Sequence, residues 1–111
     1  MKLAIVGSRS FSNYPALCAA ASSLNPSEIV SGGASGADSL AVDFAADRGL
    51  EITEFKPDLD KFGSPAAFHI RNRQIAKEAD VILACVGGAV SRGTASTIKA
   101  AKNLGKKVII I

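Results

Sequence analysis

The sequence predicts an α/β fold in which a parallel five-stranded sheet is covered by helices on both faces. Short apolar runs of strand length alternate along the chain with helical stretches, as expected for strand–helix–strand units. The runs are continuously apolar, which is typical of parallel strands buried on both faces. The predicted strands are Leu3–Val6, Glu28–Ser31, Ile52–Phe55, Val81–Val86 and Lys107–Ile111.

Four helices are predicted between these strands. They cover about Pro15–Leu24, Ala37–Arg48, Pro65–Ala79 and Thr94–Asn103. Pro15 and Pro65 suit the first turn of a helix, and Ser64 is the predicted N-cap of the third helix. Gly49 and Gly105 follow the last residues of two helices, where glycine commonly ends a helix.

Right-handed crossovers between these elements give a three-layer, Rossmann-like fold with strand order 3-2-1-4-5. The loops that follow the strands, at 7–11, 32–38, 56–64 and 87–94, then emerge at one edge of the sheet. Ligands in such folds bind at that edge, close to the switch point between the first and fourth strands. The sequence therefore predicts a ligand crevice formed by these loops.

Composition limits the class of protein. The 111 residues fit a single domain, 1–111, that forms a core without disulfides or metals. The formal net charge is +3 with no dense block of lysine and arginine, so an anionic ligand is permitted and nucleic acid is not demanded. No apolar run is long enough to span a membrane, and we expect a cytoplasmic protein that does not bind membranes.

Metal and cysteine chemistry have little support in the sequence. Cys18 and Cys85 are the only cysteines, and His69 is the only histidine. Because they form no metal-binding spacing, neither a metal nor a cofactor is predicted. The cysteines are interpreted as buried and reduced, and His69 as a residue of a helix surface.

Glycine-rich loops are the first functional signal. "GGASGAD" at 32–38 leads into the second helix, and "SRGT" at 91–94 leads into the fourth. Glycine lets backbone amides approach an anion, and a helix N-terminus adds unsatisfied donors. Neither loop has a standard dinucleotide or P-loop spacing, and glycines there also serve simple turns. Asp38 has an alternative role as a first-turn acid that favours the helix dipole.

The stretch "FHIRNRQIA" at 68–76 is a stronger signal. On a helix, one face carries Phe68, Arg71, Asn72, Ile75 and Ala79. The apolar members are expected to pack on the sheet, which places Arg71 and Asn72 on an inward stripe where an unpaired charge is costly. Two interpretations of Arg71 stay open: it pairs with a buried acid such as Asp38, or it faces the ligand crevice.

Two loop arginines strengthen the prediction of an anion site. Arg9 follows the first strand directly, and Arg92 lies beside Gly93 and Thr94 at a helix start. A guanidinium group suits phosphate because it offers a planar, bidentate fork. Surface arginines are also common in loops, so Arg92 has a second, neutral interpretation.

The combination of four motifs resembles the SLOG superfamily of Rossmann-like domains. The motifs are "GSRSF", "IVSGGASGADSLAVDFA", "RNRQIAKEADVILA" and "SRGTASTIKAAK", in this order over nearly the whole chain. The likeness is greatest to small stand-alone, YspA-like members, and it extends to DNA-processing A proteins and lonely-guy phosphoribohydrolases. The resemblance implies a nucleotide-related site made of Gly7, Ser8, Arg9, Gly32, Gly33, Ser35, Gly36, Asp38, Arg71, Asn72, Ser91, Gly93 and Thr94.

One departure from the resemblance bears on catalysis. The lonely-guy enzymes place a catalytic glutamate three residues after the threonine of the last loop, and here that position is Thr97. A hydroxyl group does not replace a carboxylate in acid–base chemistry, so an enzyme is disfavoured unless another acid such as Asp38 acts.

The favoured hypothesis is therefore a module that binds a nucleotide or nucleotide-derived ligand for sensing or sequestration. The alternatives are a hydrolase that cleaves an N-glycosidic or phosphoester bond, and a protein that binds single-stranded nucleic acid. Few aromatic residues and no basic track lie near the loops, which disfavours nucleic acid. The expected partners are a small nucleotide-derived molecule and a second copy of the chain, in a homodimer or larger oligomer.

Overall fold

Five parallel strands form one sheet in the computed structural model of the protein, which describes residues 1–33 and 36–111. The strands are β1 (Lys2–Gly7), β2 (Glu28–Ser31), β3 (Glu51–Glu54), β4 (Val81–Cys85) and β5 (Lys107–Ile110). Their order is β3-β2-β1-β4-β5, which confirms the predicted fold. The central strand β1 pairs with β2 on one side and β4 on the other, and Ala4 lies opposite both Val30 and Ile82.

The described helices number five, one more than predicted. They are α1 (Tyr14–Ser23), α2 (Ala37–Arg48), α3 (Leu59–Phe62), α4 (Ala66–Glu78) and α5 (Arg92–Asn103). The extra helix α3 is a single turn within the stretch predicted to be irregular. The Asp58 carboxylate caps it by accepting a hydrogen bond from the Lys61 amide at 3.1 Å. Four residues are too few for an apolar period to reveal a helix in the sequence.

Side chains on β1 alternate between the two layers of helices. Leu3 and Ile5 are fully buried in a core shared with α1 and α2. Ala4 and Val6 are buried in the second core, which includes residues of α4 and α5. This burial on both faces is the physical reason for the continuous apolar run in the sequence.

Helix α4 begins differently from the prediction. Pro65 rather than Ser64 holds the cap position, and no side-chain hydrogen bond caps this helix. By contrast, Asn13 caps α1 by accepting from the Ala16 amide at 3.2 Å. The prediction of a Ser64 cap was wrong because the cap falls one residue later, on Pro65, whose φ of −90° and ψ of −1° are already helical.

The described residues contain neither a membrane-spanning helix nor a group of metal-ligating side chains. In the described part of the chain, no helix has the length and hydropathy needed to cross a lipid bilayer. Within residues 1–33 and 36–111, no group of three or more metal-ligating side chains comes together.

The two thiols differ in burial, which leads to a prediction about reactivity. Cys85 is fully buried, and burial together with the nearby Asp38 carboxylate raises its pKa to about 12. Cys18 is only partly buried. Because the thiolate is the reactive form, we expect Cys85 to resist thiol reagents at pH 8 in the folded protein. A chromogenic disulfide reagent should titrate at most one thiol in buffer and two in denaturant.

The Cys18→Ser variant is the control for this titration. It should show no rapidly reacting thiol when folded and one when unfolded. Rapid reaction of the folded variant would mean that Cys85 is accessible, contrary to its burial.

Candidate functional site

A cleft of about 750 Å³ lies at the edge of the sheet where β1 and β4 end. It is bounded by the loop after β1, the start of α2, one face of α4 and the start of α5. Most of the residues predicted for the site line it: Gly7, Ser8, Arg9, Gly32, Asp38, Arg71, Asn72, Ser91, Gly93 and Thr94. The structure thus places these residues around one space, while ligand binding by them stays a prediction.

Two predicted site residues do not line this cleft. A Cβ atom on Gly33 would face the other way, 3.0 Å from Glu54 Oε2 and 3.6 Å from Lys56 Cε. A Cβ atom on Gly36 would collide with the backbone carbonyl oxygens of Ser8 and Arg9. Gly36 therefore serves loop packing in this structure, and Ser35 lies outside the described residues.

Arg71 faces the cleft, as one interpretation of the sequence predicted, and it also lies near the Asp38 carboxylate. Its side chain lines the cleft, and its Nη1 donates a hydrogen bond to the Gly32 carbonyl oxygen at 2.9 Å. The guanidinium group is half-buried, and burial lowers its pKa while the Asp38 carboxylate opposes that shift. Arg71 is thus positioned by the protein and still faces the space where a ligand would lie.

Gly32 leaves room for this guanidinium group in its present position. A Cβ atom there would lie 2.8 Å from Arg71 Nη1 and 3.0 Å from Asp38 Oδ2. The absent side chain therefore lets the Gly32 backbone approach both charged groups closely.

Asn72 links helix α4 to the start of α5. The side chain is buried, accepts from Arg71 Nε at 2.9 Å and donates from Nδ2 to the Gly93 carbonyl oxygen at 3.4 Å. Thr97 Oγ1 donates to the same oxygen at 3.2 Å. These contacts fix the orientation of the first turn of α5 relative to Arg71.

The first turn of α5 offers hydrogen-bond donors at the cleft. Ser91 Oγ accepts from the Thr94 amide at 3.2 Å and bonds to Thr94 Oγ1 at 2.9 Å. The first bond between backbone groups of the helix runs from the Ala95 amide to the Ser91 carbonyl oxygen. The amides of Arg92 and Gly93 come before that bond, and such first-turn amides favour anions.

The loop after β1 is held against the sheet and α2. The Ser8 amide donates to the Cys85 carbonyl oxygen at 3.1 Å, and the Ser8 carbonyl oxygen accepts from Phe11 and Ala37 amides at 3.2 and 3.1 Å. Ser8 Oγ lies 2.7 Å from Ser10 Oγ. These bonds place Arg9 in the cleft lining, where it joins Arg71 and Arg92.

Arg92, for which the sequence left two interpretations open, lines the cleft. The structure also adds residues that were not predicted for the site, namely Val6, Ser10, Pro65, Phe68, His69, Ile75 and Thr97. Phe68 was expected to pack on the sheet, but it is only partly buried, and Arg71 Cζ lies 5.9 Å from the centre of its ring. His69 is exposed, as predicted for a helix surface, yet that surface is the cleft, and its Nδ1 lies 3.1 Å from Ser96 Oγ.

A helical stripe could have revealed part of this set. Pro65, His69 and Asn72 are spaced by four and three residues, which places them along one side of α4 and the residue before it. The predicted face of α4, with Phe68, Arg71, Asn72 and Ile75, does line the cleft, and only its extension to Pro65 and His69 was missed.

Comparisons with known proteins agree with the fold. A solved structure of DNA processing protein A from Streptococcus pneumoniae matches with a TM-score of 0.77 and 26% sequence identity. The match covers 98% of this chain and 49% of that one, so the chain spans about half the length of that protein. Among curated proteins, none matches the sequence significantly.

A family model matches residues 1–62, more than half of the chain. This segment includes β1 with the loop that carries Arg9, and the turn from β2 into α2 that carries Asp38. It also contains two of the four motifs that carry the resemblance to the SLOG superfamily, "GSRSF" and "IVSGGASGADSLAVDFA". The chain belongs to the YspA, cpYpsA-related SLOG family.

Proposed function

We propose that this protein binds a nucleotide or nucleotide-derived ligand in the cleft, with a phosphate group at the first turn of α5. The observation that carries the proposal is the convergence of three arginine side chains, Arg9, Arg71 and Arg92, on a cleft that also contains this turn. Charge-assisted hydrogen bonds from guanidinium groups and helix amides are the usual means of holding phosphate.

The rest of the lining suits the remainder of such a ligand. Val6, Phe68 and Ile75 supply apolar surface for a base or a sugar, and Asp38 supplies a carboxylate that accepts hydrogen bonds from hydroxyl groups. A volume of about 750 Å³ is typical of cavities that bind small molecules. Family membership supports a nucleotide-related ligand.

Single-stranded nucleic acid is a second candidate for the same cleft. It is supported by the structural similarity to a protein named for DNA processing. The two candidates differ in their dependence on salt. Binding of a strand through several phosphates weakens steeply as salt rises, whereas a small ligand held in a cleft with one or two phosphates responds less.

A thermal-shift screen tests the proposal. Nucleoside monophosphates, nucleoside diphosphates and ADP-ribose should raise the melting temperature, whereas the matching nucleosides should not, because they lack the phosphate. A ligand present at 100 times its dissociation constant stabilises the folded protein by about 2.7 kcal/mol. Analysis of the same samples for released base or phosphate detects turnover.

The control is a variant that changes the proposed phosphate site. Arg9→Ala and Arg92→Ala together should remove the shift with little change in the melting temperature of the unliganded protein. If no phosphorylated compound shifts the melting temperature of the original protein, and no single strand binds it at low salt, the proposed function is wrong.

A further inference from the structure

A second cavity, of about 420 Å³, lies beside the cleft on the other side of Arg71. Its walls come from the end of β3, the residues that follow it, helix α3 and a second stripe of α4. Ala67, Ile70, Arg71 and Gln74 form that stripe, next to the stripe that borders the cleft. Arg71 lines both cavities and forms their shared wall.

The second cavity contains aromatic and cationic groups. Phe55 and Phe62 line it, and Phe62 is 42% exposed, so its ring is accessible from the cavity. Lys61 Nζ lies 5.1 Å from the centre of the Phe62 ring. An exposed ring beside a cation is the arrangement on which nucleic-acid bases stack.

The lysines of this cavity keep their charge available. Within residues 1–33 and 36–111, neither Lys56 nor Lys61 forms an ion pair, although Glu54 and Asp58 share the cavity. The Asp58 carboxylate is engaged at the N-terminus of α3, where it accepts from the Lys61 amide. With Arg71, the cavity has three cations and two carboxylates.

We propose that the ligand consists of two linked nucleotide units, one in the cleft and one in the second cavity, with Arg71 between them. This inference rests on the proposed function and extends it to a class of ligand. The second unit stacks its base on Phe62 and places its phosphate near Lys56 and Lys61. Arg71 contacts the linkage, because its guanidinium group borders both spaces.

Titration calorimetry with matched ligands tests this inference. Each of the four nucleoside 5′-monophosphates is compared with the 5′-phosphorylated dinucleotide of the same base. For the base that binds, we expect the dinucleotide to bind at least about tenfold more tightly than the monophosphate. The Lys56→Ala/Lys61→Ala double variant should reduce that ratio to about two or less, since the gain depends on the second cavity.

A matched control removes the same charge elsewhere. Lys77→Ala/Lys99→Ala changes two exposed lysines that line neither cavity, and it should keep the tenfold ratio. If the original protein binds a monophosphate and binds the dinucleotide no more tightly, the inference fails and the proposed function stands. If neither ligand binds, the inference fails, and the thermal-shift screen with nucleoside diphosphates and ADP-ribose decides the proposed function.

An additional ligand distinguishes the two sources of linked nucleotides. If the natural ligand is a free dinucleotide, a single-stranded octanucleotide of the same base should have the same dissociation constant as the dinucleotide, once the number of binding positions on the octanucleotide is taken into account. Tighter binding of the octanucleotide beyond that indicates a nucleic-acid strand. Both results support two occupied cavities.

Discussion

Replacing Arg71 by alanine should weaken binding of a phosphorylated ligand by about 30-fold or more. The guanidinium group already has a fixed orientation through Gly32 and Asn72, so little side-chain freedom is lost when a ligand binds. A hydrogen bond to a charged group contributes about 1.5–3 kcal/mol, and the half-buried position of Arg71 limits screening by solvent. The measurement is the dissociation constant by calorimetry, at one fixed salt concentration.

The same substitution also affects folding, and two variants separate the effects. Loss of Arg71 leaves the Gly32 carbonyl oxygen without this donor and the Asp38 carboxylate without this nearby cation, at a cost of about 1–3 kcal/mol. Arg71→Lys keeps a charge but lacks the planar fork, so it should recover stability more than affinity. Arg73→Ala, at an exposed position of α4, should change neither quantity.

These measurements have one outcome that contradicts the site. If Arg71→Ala lowers the free energy of unfolding but binds the ligand as the original protein does, Arg71 has a structural role only. Urea unfolding of each variant, with and without ligand, supplies both quantities.

Gly36→Ala should destabilise the protein by about 2–5 kcal/mol. Gly36 has φ 71° and ψ −125°, a conformation that residues with a Cβ atom rarely adopt. The strain costs about 1–2 kcal/mol, and forced overpacking adds about 1–3 kcal/mol. Relief is difficult because the colliding atoms are the backbone carbonyls of Ser8 and Arg9, which the hydrogen bonds of Ser8 hold in place.

Gly105→Ala is the matched control. Gly105 also has φ 71°, but a Cβ atom there would meet nothing within 4 Å. It should therefore show only the conformational cost, about 1–2 kcal/mol. Urea unfolding of the two variants compares them directly. Equal destabilisation would show that the close approach of the Ser8–Arg9 backbone adds nothing at Gly36.

The predicted topology follows directly from the pattern of strands and helices. Continuous apolar runs such as Val81–Cys85 require burial on both faces, and crossovers of one hand then leave a few doubly wound orders, of which the predicted order 3-2-1-4-5 is the observed one. Because parallel strands end at the same edge, the gathering of Arg9, Asp38 and Gly93 at one cleft could be predicted before any contact was known.

The sequence could not determine which side of a loop a residue faces. Gly32 approaches Arg71 and Asp38, whereas its neighbour Gly33 faces Glu54 and Lys56. A shift of one residue reverses this choice, and glycine has no side chain whose polarity could predict it. For a similar reason, the sequence did not reveal that His69 lines the cleft, because a polar residue on a helix surface is equally compatible with solvent and with a ligand cleft.

The sequence by itself thus determined the parallel sheet and the edge where the loops after the strands meet, because these depend on apolar periodicity and chain handedness. Tertiary structure alone decided that Arg71 contacts Gly32, faces two cavities and lies near Asp38. These contacts join residues far apart in sequence. Their geometry depends on how α4 packs against the sheet. That packing is determined jointly by side-chain volumes and backbone hydrogen bonds across the whole domain.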